Sequence, residues 1–158
     1  MEDKKSLVIK VLLTLFVVGF LVFISTRDRA ADVSAEKIAE SFEKTSAGQM
    51  PKRDKGDLKR YYSIEDTETE GYVFYKDASP MSVNEVLIVK ASSKDKALSY
   101  LEACKNHLEN QKNVFGSYGT DQMALLGKAV VECHGNYACY ICGPDASSWS
   151  KTFMEVIR

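Results

Sequence analysis

The chain opens with a long, nearly uninterrupted apolar run. Residues 7–24 read LVIKVLLTLFVVGFLVFI and contain one charge, Lys10. As a helix this run would be about 27 Å long at about 1.5 Å per residue, close to the apolar thickness of a bilayer. Lys10 lies one turn from its N-terminal edge, where an ammonium group can reach the headgroups. The pattern predicts a transmembrane anchor at residues 7–24, preceded by a short cytoplasmic tail at residues 1–6.

A cleaved signal peptide is the alternative reading of the same run. Its apolar region is usually shorter, and small residues precede the cleavage site. Here the run is followed by Arg27, Asp28 and Arg29, so an uncleaved anchor is favoured. Basic residues on its two sides nearly balance, but a very short N-terminal tail favours an N-inside orientation. We therefore expect residues 25–32 to form a juxtamembrane linker and residues 33–158 an extracytoplasmic α+β domain at the cell membrane.

Beyond the anchor, apolar positions alternate between helical and strand spacing. Ser34 precedes a short amphipathic pattern that predicts a capped helix ending near Gly48, and residues 58–62 predict a turn of helix. Helical patterns also cover residues 94–112, with a capping box at Ser92, and the segment after Gly143-Pro144. Strand-like runs occupy residues 71–75, 86–89, 129–133 and 137–141, and Gly135-Asn136 predicts a tight hairpin between the last two.

These elements define two similar halves, each with two strands followed by a helix. The simplest assembly is a four-stranded antiparallel sheet with the helices packed on one face. With 158 residues, the chain has enough material after the anchor for one ordinary core.

Charge excludes one class of function. The chain contains 21 basic and 22 acidic residues, a net charge of −1. Removing the three lysines and two acidic residues before Ser25 leaves 18 and 20, so the soluble part is near −2. Nucleic-acid binding proteins present a strongly basic face, so no nucleic-acid partner is expected.

Four motifs together are similar to a known family. They are LKRYYSI at residues 58–64, Met81 followed by Glu85 and VLIVK, the spaced trio Phe115, Tyr118 and Gln122, and GNY at residues 135–137. The set resembles a bacterial domain-of-unknown-function family, number 4358, whose members follow a signal, lipoprotein or membrane-anchor sequence. The resemblance covers roughly residue 33 to the C-terminus. It implies no catalytic residue, and residues 139–145 depart from its pattern.

The segment Cys139-Tyr-Ile-Cys142-Gly-Pro-Asp145 is the first candidate for chemistry. A thiol just before a helix N-terminus can be activated by the helix dipole. Cys142-Gly-Pro resembles the start of a thioredoxin active site, but Asp145 stands where the second cysteine of that motif would be, and its charge opposes thiolate formation. The favoured interpretation is a strand end that contains small apolar cysteines.

A zinc site would require Cys133, His134, Cys139 and Cys142 to converge. If Gly135-Asn136 forms the hairpin loop, His134 opposes Tyr137 and Cys133 opposes Ala138. Strand alternation then places Cys133 and Cys142 on one face and His134 and Cys139 on the other. We therefore predict no metal site and no cofactor, while Cys104 on a buried helix face could meet a sheet cysteine.

Other catalytic groups are scarce. The sequence lacks nucleophile-elbow, phosphate-loop and zincin motifs, and its two histidines are His107, expected at the boundary between the buried and exposed faces of its helix, and His134. Aromatics such as Tyr61 and Tyr75 would suit recognition where they are exposed. No catalytic residue is predicted, and we expect a non-enzymatic module of the cell envelope that binds a protein, peptide or envelope ligand. The alternative is an extracytoplasmic thiol or metal-binding protein using Cys133, Cys139 and Cys142.

Overall fold

The strand-like runs form one sheet. In this computed structural model, which describes residues 2–27 and 30–158, the strands are β1 (Gly71–Lys76), β2 (Glu85–Lys90), β3 (Val130–His134) and β4 (Tyr137–Cys142). Their order is β1-β2-β4-β3, and every neighbouring pair is antiparallel. The predicted α+β class and four-stranded antiparallel sheet are confirmed.

The β3–β4 hairpin has the predicted register. His134 faces Tyr137 and Cys133 faces Ala138 across the two-residue turn. Gly135 has a φ of 55°, a left-handed conformation that glycine adopts without steric cost. The Gly-Asn pair therefore sets the register by turn geometry, as such sequences do in short hairpins.

In the described part of the chain, six α-helices pack on the sheet or precede it. The hydroxyl of Ser34 caps the second helix by accepting a hydrogen bond from the Lys37 amide, as predicted. Ser93, rather than Ser92, caps the helix that begins at Lys94. The helix that begins at Thr120 was not predicted. Short 3-10 turns lie at Ala47–Gln49 and Asp66–Glu68. The helices are α1 (Glu2–Arg27), α2 (Ala35–Phe42), α3 (Lys55–Tyr62), α4 (Lys94–Phe115), α5 (Thr120–Leu126) and α6 (Ala146–Val156).

The helices cover both faces of the sheet, so the predicted single-faced packing is wrong. One face packs against α2 and α6 through residues such as Phe42 and Phe153. The other face packs against α3, α4 and α5 through residues such as Leu58 and Leu126. All six β4 residues are buried. The sheet is the middle layer of three because its central strands are apolar on both faces, which leaves neither face for water.

The two strand–strand–helix halves are present, but they differ in where the helix goes. α4 follows β2 onto the face that carries Phe74 and Leu87. α6 follows β4 onto the opposite face. The connection to α6 includes Gly143, with a φ of 153° and the Trp149 ring 2.5 Å from where a β-carbon would lie. A side chain at this position would displace Trp149 from the core.

The apolar run at residues 7–24 lies within α1. Residues 6–21 are all exposed, and the twelve large apolar residues between Leu7 and Leu21 are 44–72% exposed. In residues 2–27 and 30–158, no helix combines the length and apolar character that crossing a membrane requires. The predicted transmembrane span is therefore not confirmed.

The segment following α1 is bound to the domain. Asp28 and Arg29, in the predicted linker, lie outside the described residues. The Tyr137 hydroxyl accepts a hydrogen bond from the Val33 amide at 2.7 Å and lies 2.8 Å from the Val33 carbonyl oxygen. The Ala31 amide donates to the Ile157 carbonyl at 2.7 Å. Residues 31–33 thus belong to the folded unit, with Val33 in its core.

Candidate functional site

A buried cluster of charged and polar side chains lies where β1 ends and β2 begins. The Glu85 side chain is fully buried, and its Oε2 accepts hydrogen bonds from Lys76 Nζ at 2.6 Å and from His107 Nε2 at 3.2 Å. Its Oε1 accepts a hydrogen bond from the Tyr62 hydroxyl at 2.6 Å. Three donors therefore satisfy one carboxylate. We call these four residues the Glu85 cluster.

Each member of the Glu85 cluster comes from a different element. Lys76 and Glu85 are partners in the β1–β2 register. His107 is brought in by α4, three residues after Cys104 on the helix face that contacts the sheet. Tyr62 is the last residue of α3, which ends because Ser63 adopts a left-handed conformation with a φ of 57°. The cluster thus links α3 and α4 to the sheet.

Aromatic rings enclose the Glu85 cluster. The Tyr62 ring lies 4.4 Å from the His107 ring, and the Tyr140 ring lies 5.1 Å from it, both measured between centroids. The Lys76 Nζ lies 5.3 Å from the centre of the Tyr61 ring, within the range of a cation–π interaction. The rings keep water away and strengthen the electrostatic interactions inside.

Electrostatics favour the ionised form of Glu85. Burial alone raises the pKa of a carboxyl group, but the hydrogen bond and charge of His107 and the Lys76 ammonium outweigh it, so the pKa of Glu85 is lowered. Burial and the nearby Glu85 carboxylate raise the pKa of Tyr62 well above its usual value. Glu85 therefore stays charged and Tyr62 stays a neutral donor near pH 7.

The Glu85 cluster is closed to solvent. Side-chain exposure is 0% for Glu85, 5% for His107 and 9% for Lys76. A substrate would have to displace the surrounding rings to reach the carboxylate. In this geometry the cluster fixes α3 and α4 against the sheet, and its charged groups are covered. His107 is buried, so the predicted boundary position for this residue is wrong.

The cysteines and His134 lie where strand alternation predicts. Cys139 belongs to the face that packs on α2 and α6, where the His134 ring lies 6.3 Å from Phe153. Cys142 lies on the other face, and Cys133 packs against the same cluster. Among the residues that the structure describes, no three histidine, cysteine or acidic side chains are grouped so that they could hold a metal ion.

Burial lowers the reactivity of two thiols of the predicted alternative site, Cys139 and Cys142, and of Cys104. It raises the pKa of Cys142 to about 11 and that of Cys139 to about 12. It also raises the pKa of Cys104 well above its usual value. Since the thiolate is the reactive form, these three side chains behave as small apolar residues near pH 7. Cys133 is half-buried.

The predicted recognition aromatics are mostly inside the domain. Tyr75 is 6% exposed and packs in the core beside Phe42. Tyr61 is half-buried and covers Lys76. The expectation of exposed aromatics is therefore wrong for Tyr75, because β1 is covered on both faces.

Exposed apolar side chains of the domain are found instead beside a shallow groove. Its volume is about 380 Å³. Met81 is 57% exposed and Tyr118 is 58% exposed, while Phe115 forms the buried floor. The Gln122 Oε1 accepts a hydrogen bond from the Val83 amide at 3.1 Å and ties α5 to the β1–β2 connection. We call this surface the α5 groove; it is lined by Met81, Phe115, Tyr118, Gly119, Thr120, Asp121 and Gln122.

The motif residues noted in the sequence meet at these two places. Tyr62 and Glu85 belong to the Glu85 cluster, and Met81, Phe115, Tyr118 and Gln122 line the α5 groove. Motifs far apart in the chain thus become neighbours in the fold.

The fold and site define a three-layered α+β domain that encloses a buried ion pair and follows an apolar helix. A family model described as "Domain of unknown function (DUF4358)" matches residues 43–143. The chain belongs to this family, which confirms the resemblance inferred from its motifs. No curated protein and no solved structure matches the chain.

Proposed function

We propose that this chain is a membrane-attached binding module in which α1 holds a non-enzymatic domain at the cell membrane, on its extracytoplasmic side. The observation that carries the proposal is the surface of α1. Its side chains from residue 6 to residue 21 are exposed, and Lys10 is the one charged side chain among them. Apolar residues occupy all sides of the helix.

A lipid environment is the occupant that suits such a helix. A helix that packs on a protein surface is apolar along one stripe and polar elsewhere, whereas a helix that is apolar all round is buried in protein or lipid. Extended apolar surface is also rare on soluble proteins unless it serves an interaction.

Binding, rather than catalysis, is supported by the contrast between the Glu85 cluster and the α5 groove. The ionisable groups that could perform acid–base chemistry are closed off by aromatic rings. The open α5 groove instead combines the exposed Met81 and Tyr118 side chains with the Asp121 carboxylate. This combination suits a protein segment that presents an apolar side chain next to a basic one.

Liposome flotation tests the attachment. The full chain should float with phosphatidylcholine vesicles, and a chain lacking residues 2–27 should stay in the aqueous phase. A variant in which Leu12, Phe16 and Val17 are all replaced by serine tests α1 more specifically than the deletion does, because it changes the helix surface and leaves the domain intact. Equal flotation of the full and shortened chains would contradict attachment by α1.

A further inference from the structure

We infer that the domain is held in a fixed orientation at the lipid surface: the end of the sheet at Tyr137 faces the headgroups and the α5 groove faces away. This inference rests on the membrane attachment proposed above. It assigns an interaction surface to the domain, which we call the tether end, defined by Gly71, Lys90, Asn136 and Tyr137. Its partner is the headgroup layer of a bilayer.

Only a short length of chain separates α1 from the domain. α1 ends at Arg27, and Ala31 is already hydrogen-bonded to the Ile157 carbonyl. Four residue steps can span at most about 14 Å even when fully extended. A domain attached in this way cannot diffuse away from the point where α1 leaves the lipid.

Residues 31–33, which lead from α1 into the domain, are held by hydrogen bonds and by burial. The Tyr137 hydroxyl lies 2.7 Å from the Val33 nitrogen, 2.8 Å from the Val33 oxygen and 3.1 Å from the Ala31 oxygen. The Val33 side chain is 8% exposed and lies in the core. The chain therefore enters the domain at one defined place, because residues 31–33 are hydrogen-bonded to Tyr137 and Ile157.

Residues 31–33 contact the sheet at the end where β4 begins and β2 ends. Tyr137 is the first residue of β4 and pairs with Lys90, the last residue of β2, which in turn pairs with Gly71 of β1. At the opposite end, Glu85 pairs with both Lys76 and Cys142. Strands of this length extend for roughly 17–20 Å.

The α5 groove lies at the far end. Met81 and Val83 are in the connection between Lys76 and Glu85, and Gln122 of α5 is bonded to Val83. The length of the sheet therefore separates the groove from the tether. A partner approaching from the aqueous side meets the groove without a lipid surface in the way.

Charge does not provide this orientation. At the tether end Lys90 is paired with Asp32 and with Glu70, so its positive charge is offset. Asn136, Ser92 and Ser93 are exposed and uncharged. Since the tether and not a basic patch holds the domain, the orientation should be the same on neutral and anionic lipid and at low and high salt.

Depth-dependent fluorescence quenching tests the inference on the full chain in phosphatidylcholine vesicles with nitroxide-labelled headgroups. One fluorophore is attached at Asn136→Cys and, in a separate chain, at Met81→Cys. Both carry Cys133→Ala so that the half-buried thiol does not react. We expect several-fold stronger quenching at position 136 than at position 81, unchanged by phosphatidylserine or salt.

A tether variant is the matched control. A flexible Gly/Ser insert of about 12 residues between positions 29 and 30 adds roughly 20 Å of root-mean-square reach. It should abolish the difference in quenching while flotation persists. Three results would overturn the orientation alone. They are equal quenching at positions 136 and 81, stronger quenching at position 81, and a difference between the two positions that persists after the insert. A chain that does not float would refute the attachment and the orientation together.

Discussion

Lys76 and Glu85 face each other across the last pair of the β1–β2 ladder and form an ion pair of 2.6 Å that is almost entirely out of water. Removing two charges from water is costly, and the cost is offset when further hydrogen-bond donors reach the carboxylate. Here Tyr62 and His107 supply the remaining donors. The arrangement is stabilising as a set and sensitive to the loss of any member.

The first prediction concerns the loss of the cation. Lys76→Met should lower the free energy of unfolding by about 3–5 kcal/mol, because it removes the ammonium group that pairs with the buried Glu85 carboxylate. Urea unfolding of residues 30–158 provides the measurement. Lys105→Met is the matched control, since Lys105 forms an exposed pair with Glu102 and its loss should change stability far less. Equal effects of the two substitutions would contradict the importance of the buried pair.

The second prediction concerns acid. Because the pKa of Glu85 is lower in the folded chain than in the unfolded one, the unfolded state binds the proton more readily. The stabilisation from Glu85 is therefore complete above its ordinary value of 4.5 and is lost as pH falls through the lower folded value. Glu85→Gln should flatten the acid limb of a plot of unfolding free energy against pH. If the unsubstituted protein and the Glu85→Gln variant lost stability identically as pH falls, Glu85 would not be the source of this pH dependence.

The third prediction concerns the segment at residues 31–33. A fragment of residues 30–158 should fold cooperatively, and one of residues 35–158 should be less stable by about 2 kcal/mol or more, because Val33 and its hydrogen bonds are lost. Tyr137→Phe should destabilise the longer fragment by about 1 kcal/mol and have little further effect on the shorter one. An equal cost in both fragments would show that Tyr137 acts through other contacts.

The fourth prediction concerns the thiols. In the native chain near pH 7, Cys104, Cys139 and Cys142 should react with iodoacetamide far more slowly than in denaturant, since burial keeps them protonated and covered. Mass spectrometry of the adducts would give the order of modification, with Cys133 first. Rapid native modification of Cys142 would instead favour the thiol-protein alternative.

The fifth prediction concerns sidedness. Met81→Cys in a Cys133→Ala background should react with a membrane-impermeant maleimide on intact cells, because the domain is proposed to be extracytoplasmic and Met81 is 57% exposed at the end of the sheet away from the lipid. The same chain without Met81→Cys is the control for background labelling. Modification that requires lysis would place the domain on the cytoplasmic side.

Local signals made much of the fold predictable. The hairpin followed from Gly135-Asn136, and α6 followed from Gly143-Pro144 and its apolar spacing. The short helix α5 was missed because the residue before it, Gly119, offers no side-chain cap. The prediction that the helices cover one face of the sheet was wrong. The apolar residues on both faces of β2 and β4 form a pattern that indicates a sheet covered on both sides.

The Glu85 cluster was harder to predict because its contacts are non-local. His107 lies 22 positions from Glu85 and Tyr62 lies 23 positions from it. One signal was available in the sequence: His107 continues the apolar face of α4 three residues beyond Cys104. A polar residue on such a face implies a buried partner, but the sequence alone does not identify Glu85 as the partner of His107.

The placement of α4 and α6 on opposite faces bears on the ancestry of the domain. β2 and β4 are antiparallel neighbours, so a half-turn about an axis perpendicular to the sheet exchanges the two hairpins. That rotation would leave the two following helices on the same face, whereas they lie on opposite faces. A simple tandem copy of one half therefore does not generate this architecture. An origin by duplication would have required one helix to move across the sheet afterwards.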